Sequence, residues 1–95
     1  MTAYLIARVK VTDPARYENY KALSPGALAA FDGKFLVRGG AHETLEGEAE
    51  DRRLVLVEFP SLEQAKACYD SAQYQAAKAE RDGAAEMQMV VVEGL

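Results

Sequence analysis

Three separated stretches of this 95-residue chain alternate in the same two-faced way, and that pattern limits the fold more than any other feature. In residues 3–11, Leu5, Ala7, Val9 and Val11 alternate with Tyr4, Ile6, Arg8 and Lys10. In residues 34–38, Phe35 and Val37 alternate with Leu36 and Arg38, and in residues 53–59, Val55, Val57 and Phe59 alternate with Leu54, Leu56 and Glu58. Successive side chains on a strand point to opposite faces. The first set in each stretch is purely apolar and suits a sheet face packed against helices. The second set mixes Tyr4, Ile6, Leu36, Leu54 and Leu56 with Arg8, Arg38 and Glu58. A solvated face would carry fewer leucines, and a plain core would carry no unpaired charge. The mixture predicts a face covered by a second copy of the chain, around a partly polar cavity.

The segments between the strands read as helices. Asp13-Pro14 supplies an N-cap and a proline at the first helical position. Tyr17, Tyr20, Leu23, Ala27, Leu28 and Phe31 follow at helical spacing, and Ser24-Pro25-Gly26 predicts a kink or two short helices end to end. Residues 34–38 are expected to continue irregularly through Leu45, and the next strand, 53–59, folds back as a hairpin. Ser61-Leu62-Glu63-Gln64 matches a capping box. Asp70-Ser71 separates that helix from a further short one over 72–82, and residues 86–93 form the last strand. The order is β-α-β-β-α-β. It predicts an α+β, ferredoxin-like fold in which a four-stranded antiparallel sheet carries helices on one face and pairs into a dimeric α/β barrel. Residues 1–95 are expected to form a single domain.

Composition narrows the partners. The net charge of −4 disfavours a phosphate-binding surface. The stretch 53–59 lacks the basic-Gly-aromatic pattern of RNA-binding domains that share this strand order, so no nucleic-acid partner is expected. No apolar run approaches a membrane span, and the N-terminus lacks the features of a signal peptide. One cysteine, Cys68, allows no internal disulfide and fits a cytoplasmic protein; in its helical setting it reads as a small core residue.

Three constellations could carry chemistry. Arg8, Arg38 and Glu58, with Tyr4 nearby, would project into one volume if the strands pair in simple register. Arg38 could then bind an anionic or carbonyl ligand, and Glu58 could act as a base; the plainer reading is a satisfied ion pair at the dimer interface. Gly39-Gly40 offers a bulge or a close backbone approach, followed by His42, whose ordinary pKa suits proton transfer. His42-Glu43-Thr44-Leu45-Glu46 lacks the second histidine of a zinc motif, so no metal site is expected. Tyr69 and Tyr74 could line a pocket mouth or simply pack along their helix. No cofactor is expected, and haem bound through His42 ranks well behind the other readings.

Set side by side, these segments resemble a known family: Val11-Thr12-Asp13-Pro14 with Tyr17 and Tyr20, then Gly33-Lys34-Phe35-Leu36-Val37-Arg38-Gly39-Gly40. Leu45-Glu46-Gly47, Leu56-Val57-Glu58-Phe59-Pro60-Ser61, and Tyr69-Asp70-Ser71 with Tyr74 and Arg81 complete it. Over nearly its whole length the chain is similar to domain-of-unknown-function family 1330, in the dimeric α+β barrel superfamily. The resemblance implies a ferredoxin-like homodimer. It implies no established substrate, cofactor or catalytic residue. Relatives by fold include cofactor-free monooxygenases, muconolactone-isomerase-like proteins and haem-degrading enzymes, and fold alone does not carry function across.

Overall fold

A computed structural model describes residues 1–95. The elements run β1 (Ala3–Val11), α1 (Pro14–Ala29), β2 (Lys34–Arg38), β3 (Arg53–Phe59), α2 (Leu62–Asp70), α3 (Ala72–Glu80) and β4 (Ala85–Glu93). The strands form one antiparallel sheet in the order β2-β3-β1-β4. This is the ferredoxin-like arrangement, with its second helical segment divided in two. Ser71 makes the division: its hydroxyl donates to Cys68 O at 2.6 Å at the end of α2 and accepts from Tyr74 N at 3.1 Å at the start of α3. The core forms where Leu5, Ala7, Val9, Val57 and Phe59 meet Tyr17, Tyr20, Ala27 and Leu28 of α1 and Ala65, Cys68, Tyr74 and Ala77 of α2 and α3.

Helix α1 starts as the sequence indicates, with Asp13 Oδ1 accepting from Arg16 N at 3.2 Å and Pro14 at the first position. It then runs unbroken through Pro25, where a division into two helices was one of the expected outcomes. Proline at 25 leaves the Lys21 carbonyl without its usual helical donor four residues on. Arg38 supplies a replacement: its Nη2 donates to Lys21 O at 3.1 Å.

Strand β2 ends at Arg38 and does not continue toward Leu45. Gly39, at φ +75°, turns the chain away while its N–H donates to Leu54 O at 2.8 Å. Within β2 the register slips between Phe35 and Val37: Phe35 faces Val57, Val37 faces Leu56, and Arg38 faces Val55. One extra residue in a strand reverses the facing of everything beyond it. Val37 therefore joins the outer face and Arg38 joins the helix face, opposite to simple alternation.

The outer face carries ordered rows across the sheet. Val37, Leu56, Ile6 and Val90 form an apolar row spanning all four strands. Lys34, Glu58, Tyr4 and Val92 lie on one side of it, and Leu54, Arg8 and Gln88 on the other. No helix covers this face, and Val37, Val90 and Val92 stay exposed in a single chain.

Candidate functional site

The helix face of the sheet encloses a cavity beneath α1. Tyr17, Tyr20, Lys21, Ser24 and Leu28 of α1 form its roof, and Leu5, Val57, Met87 and Met89 are among the sheet residues of its floor. Phe35, Arg38 and Arg53 close one end, and Tyr74 stands at the other. Its volume is about 30 Å³, enough for one or two waters. Past Leu5, Met87 and Met89 it continues into a shallow groove of about 370 Å³ bordered by Tyr69, Lys78 and Arg81.

Four tyrosines join in a chain along this space and its groove. The Tyr20 and Tyr74 hydroxyls lie 2.7 Å apart, and the rings of Tyr17 and Tyr20 and of Tyr69 and Tyr74 approach to 5.4 Å. Burial, reinforced by the neighbouring Tyr74 oxygen, pushes the Tyr20 hydroxyl far above the ordinary tyrosine range, and burial raises that of Tyr17 as well. These hydroxyls therefore remain protonated and act as neutral hydrogen-bonding groups, not bases. Arg81 donates to the Tyr74 oxygen at 3.4 Å. Tyr74→Phe would leave Tyr20 with a buried, unpaired hydroxyl, at a cost of about 1–3 kcal/mol. The expected result is a melting temperature lower by several degrees, read by circular dichroism; an unchanged melt would mean that water replaces the partner.

The cations around this space rest on aromatic rings. Arg38 lies over Phe35 at 4.7 Å, Arg81 over Tyr20 at 5.2 Å, and Lys78 over Tyr69 at 5.2 Å. Ring faces attract such charges without neutralising them. Arg53 lies across Gly39, where a Cβ would come within 2.6 Å of its Cζ. Gly39 thus serves twice, through its positive φ and as the bare surface that seats Arg53. The Nε atoms of Arg53 and Arg81 are buried with no hydrogen-bond partner.

The sequence-derived site divides between the two faces. Arg38, Tyr69 and Tyr74 border the cavity and its groove. Arg8, Tyr4 and Glu58 lie on the outer face, so the expected convergence of Arg8, Arg38 and Glu58 does not occur; the β2 bulge is the reason. Nor does Arg8 pair with Glu58. Its Nε donates to Glu50 Oε2 at 3.0 Å, and Arg52 grips the same carboxylate through Nε at 2.9 Å and Nη2 at 3.1 Å. Gly40 and His42 lie in the exposed segment between β2 and β3, where His42 Nε2–H donates to Glu50 O at 2.9 Å. No three His, Cys, Asp or Glu side chains converge as a metal site requires. Cys68 is buried; its thiol points at Ala27 O, 3.6 Å away, and burial pushes its pKa up.

Tyr17 and Tyr20, which follow at helical spacing along α1, line the cavity, and so does Arg53, which none of the three sequence constellations contains. Arg53 precedes the alternating run, and the one usable signal was its position one residue before Leu54, which places it on the helix face.

Glu50 gives the outer cluster a pH signature. The Arg52 side chain and backbone, then Arg8, hold its carboxyl at about 2, below the ordinary 4.5. A lowered folded-state pKa stabilises fully above the ordinary value, and that contribution fades as pH falls toward the folded one. Glu50→Gln should therefore lower stability at neutral pH and flatten the loss between pH 4.5 and about 2. Urea unfolding across that range checks it; a variant with an unchanged profile would count against the coupling.

The fold and the two faces define a ferredoxin-like α+β protein with a helix-side cavity and a bare outer sheet. The family model for the domain of unknown function DUF1330 matches residues 2–95, and the chain belongs to that family. A search of curated proteins finds no match. Among solved structures, it is similar to a protein of unknown function from Rhodopseudomonas palustris, with TM-score 0.75 and 18% identity over 99% of this chain and 82% of that one. It is also similar to a dimeric ferredoxin-like protein of unknown function from Jannaschia, with TM-score 0.71 and 12% identity over 99% and 100% of the two chains. A third, SnoaB, a cofactor-independent oxygenase from Streptomyces nogalater, aligns with TM-score 0.71 and 10% identity over 99% and 93%. At these identities the likeness is one of fold. No helix is long and apolar enough to cross a membrane.

Proposed function

We propose that the protein is a homodimer joined through the outer sheet faces, and that each protomer binds a small molecule in its helix-side cavity and the groove that adjoins it. The observation that carries the binding role is the lining of the cavity and its groove: hydroxyls and guanidinium groups around an apolar floor, with two arginine nitrogens lacking partners. Buried polar groups are rarely left unsatisfied without a functional reason. Arg38 would meet the ligand, with Tyr74 and Tyr69 bordering its path. The apolar row of Val37, Leu56, Ile6 and Val90, flanked by polar rows, supports the pairing; it has the apolar centre and polar rim of a protein interface. The shared core supports reading residues 1–95 as one domain, and the single buried free thiol suits a cytoplasmic protein.

Native mass spectrometry of freshly purified protein, followed by metabolite extraction, tests both parts. The expected species has twice the 10.4 kDa chain mass and releases a small molecule. A monomer at micromolar concentration would refute the pairing. Arg38→Ala should deplete the bound molecule and leave the dimer intact, because Arg38 lies on the helix face.

A second reading rests on the outer cluster. Arg8, Glu50 and Arg52 lie beside the apolar row and would fix the register of a non-catalytic dimeric module. On that reading Glu50→Gln weakens the dimer and no metabolite co-purifies.

A further inference from the structure

The geometry points to a small organic carboxylate with an apolar body as the occupant of the cavity and its groove, its anionic end held between Arg53 and Arg38. The inference rests on the reading of the helix-side cavity as a ligand site, and names what that site selects.

The sign of the charge is the first reason. The chain has 15 acidic and 11 basic residues. Yet Arg38, Arg53, Lys78 and Arg81 border the cavity and its groove without an acidic partner, and no Asp or Glu lines either; Lys21, also at the cavity, is paired with Glu18 at 3.3 Å. An acidic protein that gathers four unpaired bases around one hollow, and lines it with none of its acids, has left a positive charge there for something else to neutralise. The aromatic seats of Arg38, Arg81 and Lys78 keep these cations in place without cancelling their charge.

The kind of cation is the second. The two cations that close one end are arginines, whose planar forks match a carboxylate through paired N–H donors. Arg53 Nε has no acceptor, and the bond from its Nη2 to Arg38 O is long, at 3.4 Å. Arg38 is held by one hydrogen bond, to Lys21 O, and its other donors remain free. Pro25 is the device behind that bond, since an amide N–H at position 25 would compete for the same carbonyl. Pro25 therefore acts as a positioning residue for Arg38.

The lining sets the rest of the ligand. Twelve of the 16 cavity residues are hydrophobic, which disfavours inorganic phosphate and nucleotides and suits one charge on an apolar body. The enclosed space, with room for one or two waters, takes the carboxylate alone, and the apolar body lies past Leu5, Met87 and Met89 in the groove of about 370 Å³.

Titration of the isotope-labelled protein with matched acids and amides, followed by amide NMR shifts, tests the inference. The probes are benzoate against benzamide and butyrate against butyramide, at fixed ionic strength. The expected result is that an acid shifts the amides of Leu5, Tyr20 and Val57 and binds at least about tenfold more tightly than its amide. Arg53→Gln and Pro25→Ala should each weaken the acid and leave the amide unchanged, and Arg53→Lys should restore part of the loss. Acid and amide binding equally well in the cavity would overturn the carboxylate assignment while leaving the cavity a ligand site. No shift of cavity amides with any probe would overturn both. Should Arg53→Gln fail to fold, Pro25→Ala and the acid–amide comparison on the unaltered protein still decide.

Discussion

Ile6→Glu should convert the proposed dimer into a monomer. Ile6 is central on the outer face, flanked by Leu56 on β3 and Val90 on β4. A carboxylate there would be buried without a partner, and even imperfect burial of a polar group costs about 1–3 kcal/mol on mutational scales. A twofold interface carries the substitution twice. Two such penalties, with the lost apolar contact, amount to at least about 4 kcal/mol, or roughly a thousandfold in dissociation constant. The folded chain itself should survive, because the side chain points away from the core that Leu5, Ala7 and Val9 form. Sedimentation velocity with a circular dichroism spectrum separates the two effects. A folded variant that still sediments as a dimer at micromolar concentration would exclude the outer face as the interface.

Arg53→Met should stabilise the protein while weakening ligand binding. Methionine keeps much of the apolar stem and fills space adaptably. It removes a guanidinium whose Nε is buried without a partner and which stands among other cations. Relief of such a group is worth about 1 kcal/mol or more. For a domain of this size that raises the melting temperature by about 4–8 °C. Sites shaped for a ligand commonly sacrifice stability in this way. An arginine with a structural role would show the reverse, and a lower melting temperature for Arg53→Met would assign it that role.

The two substitutions also show where sequence reasoning succeeded and where it stopped. Ile6 was placed correctly because β1 is regular: its residues 3–11 pair with β4 without interruption. Arg38 was placed on the wrong face because β2 contains a bulge, and one extra residue inverts every assignment after it. Gly39-Gly40 did mark an irregular backbone, but the slip lies before the glycines, between Phe35 and Val37. The pairing of Arg8 with Glu50 was out of reach for another reason. The two residues are 42 positions apart and meet only because the segment before β3 folds back beside the outer face.

Pro25 illustrates both sides at once. Its presence in a helical pattern announced a defect, and the sequence reading allowed for a kink or a break. Which of these occurs depends on whether another group satisfies the orphaned carbonyl of Lys21, and that group comes from β2.

What the sequence alone determined is the set of properties that neighbouring residues control: the strands, the helix starts at Asp13 and Ser61, the order of elements, and the apolar face turned to the helices. Local sterics, capping and periodicity decide these within a few residues. The tertiary structure alone decided which face receives Arg38, which acid pairs with Arg8, and that unpaired cations from β2, β3 and the α3 region border one acid-free cavity and its groove. Those outcomes depend on strand register and on the meeting of distant segments, and no local pattern in the chain encodes them.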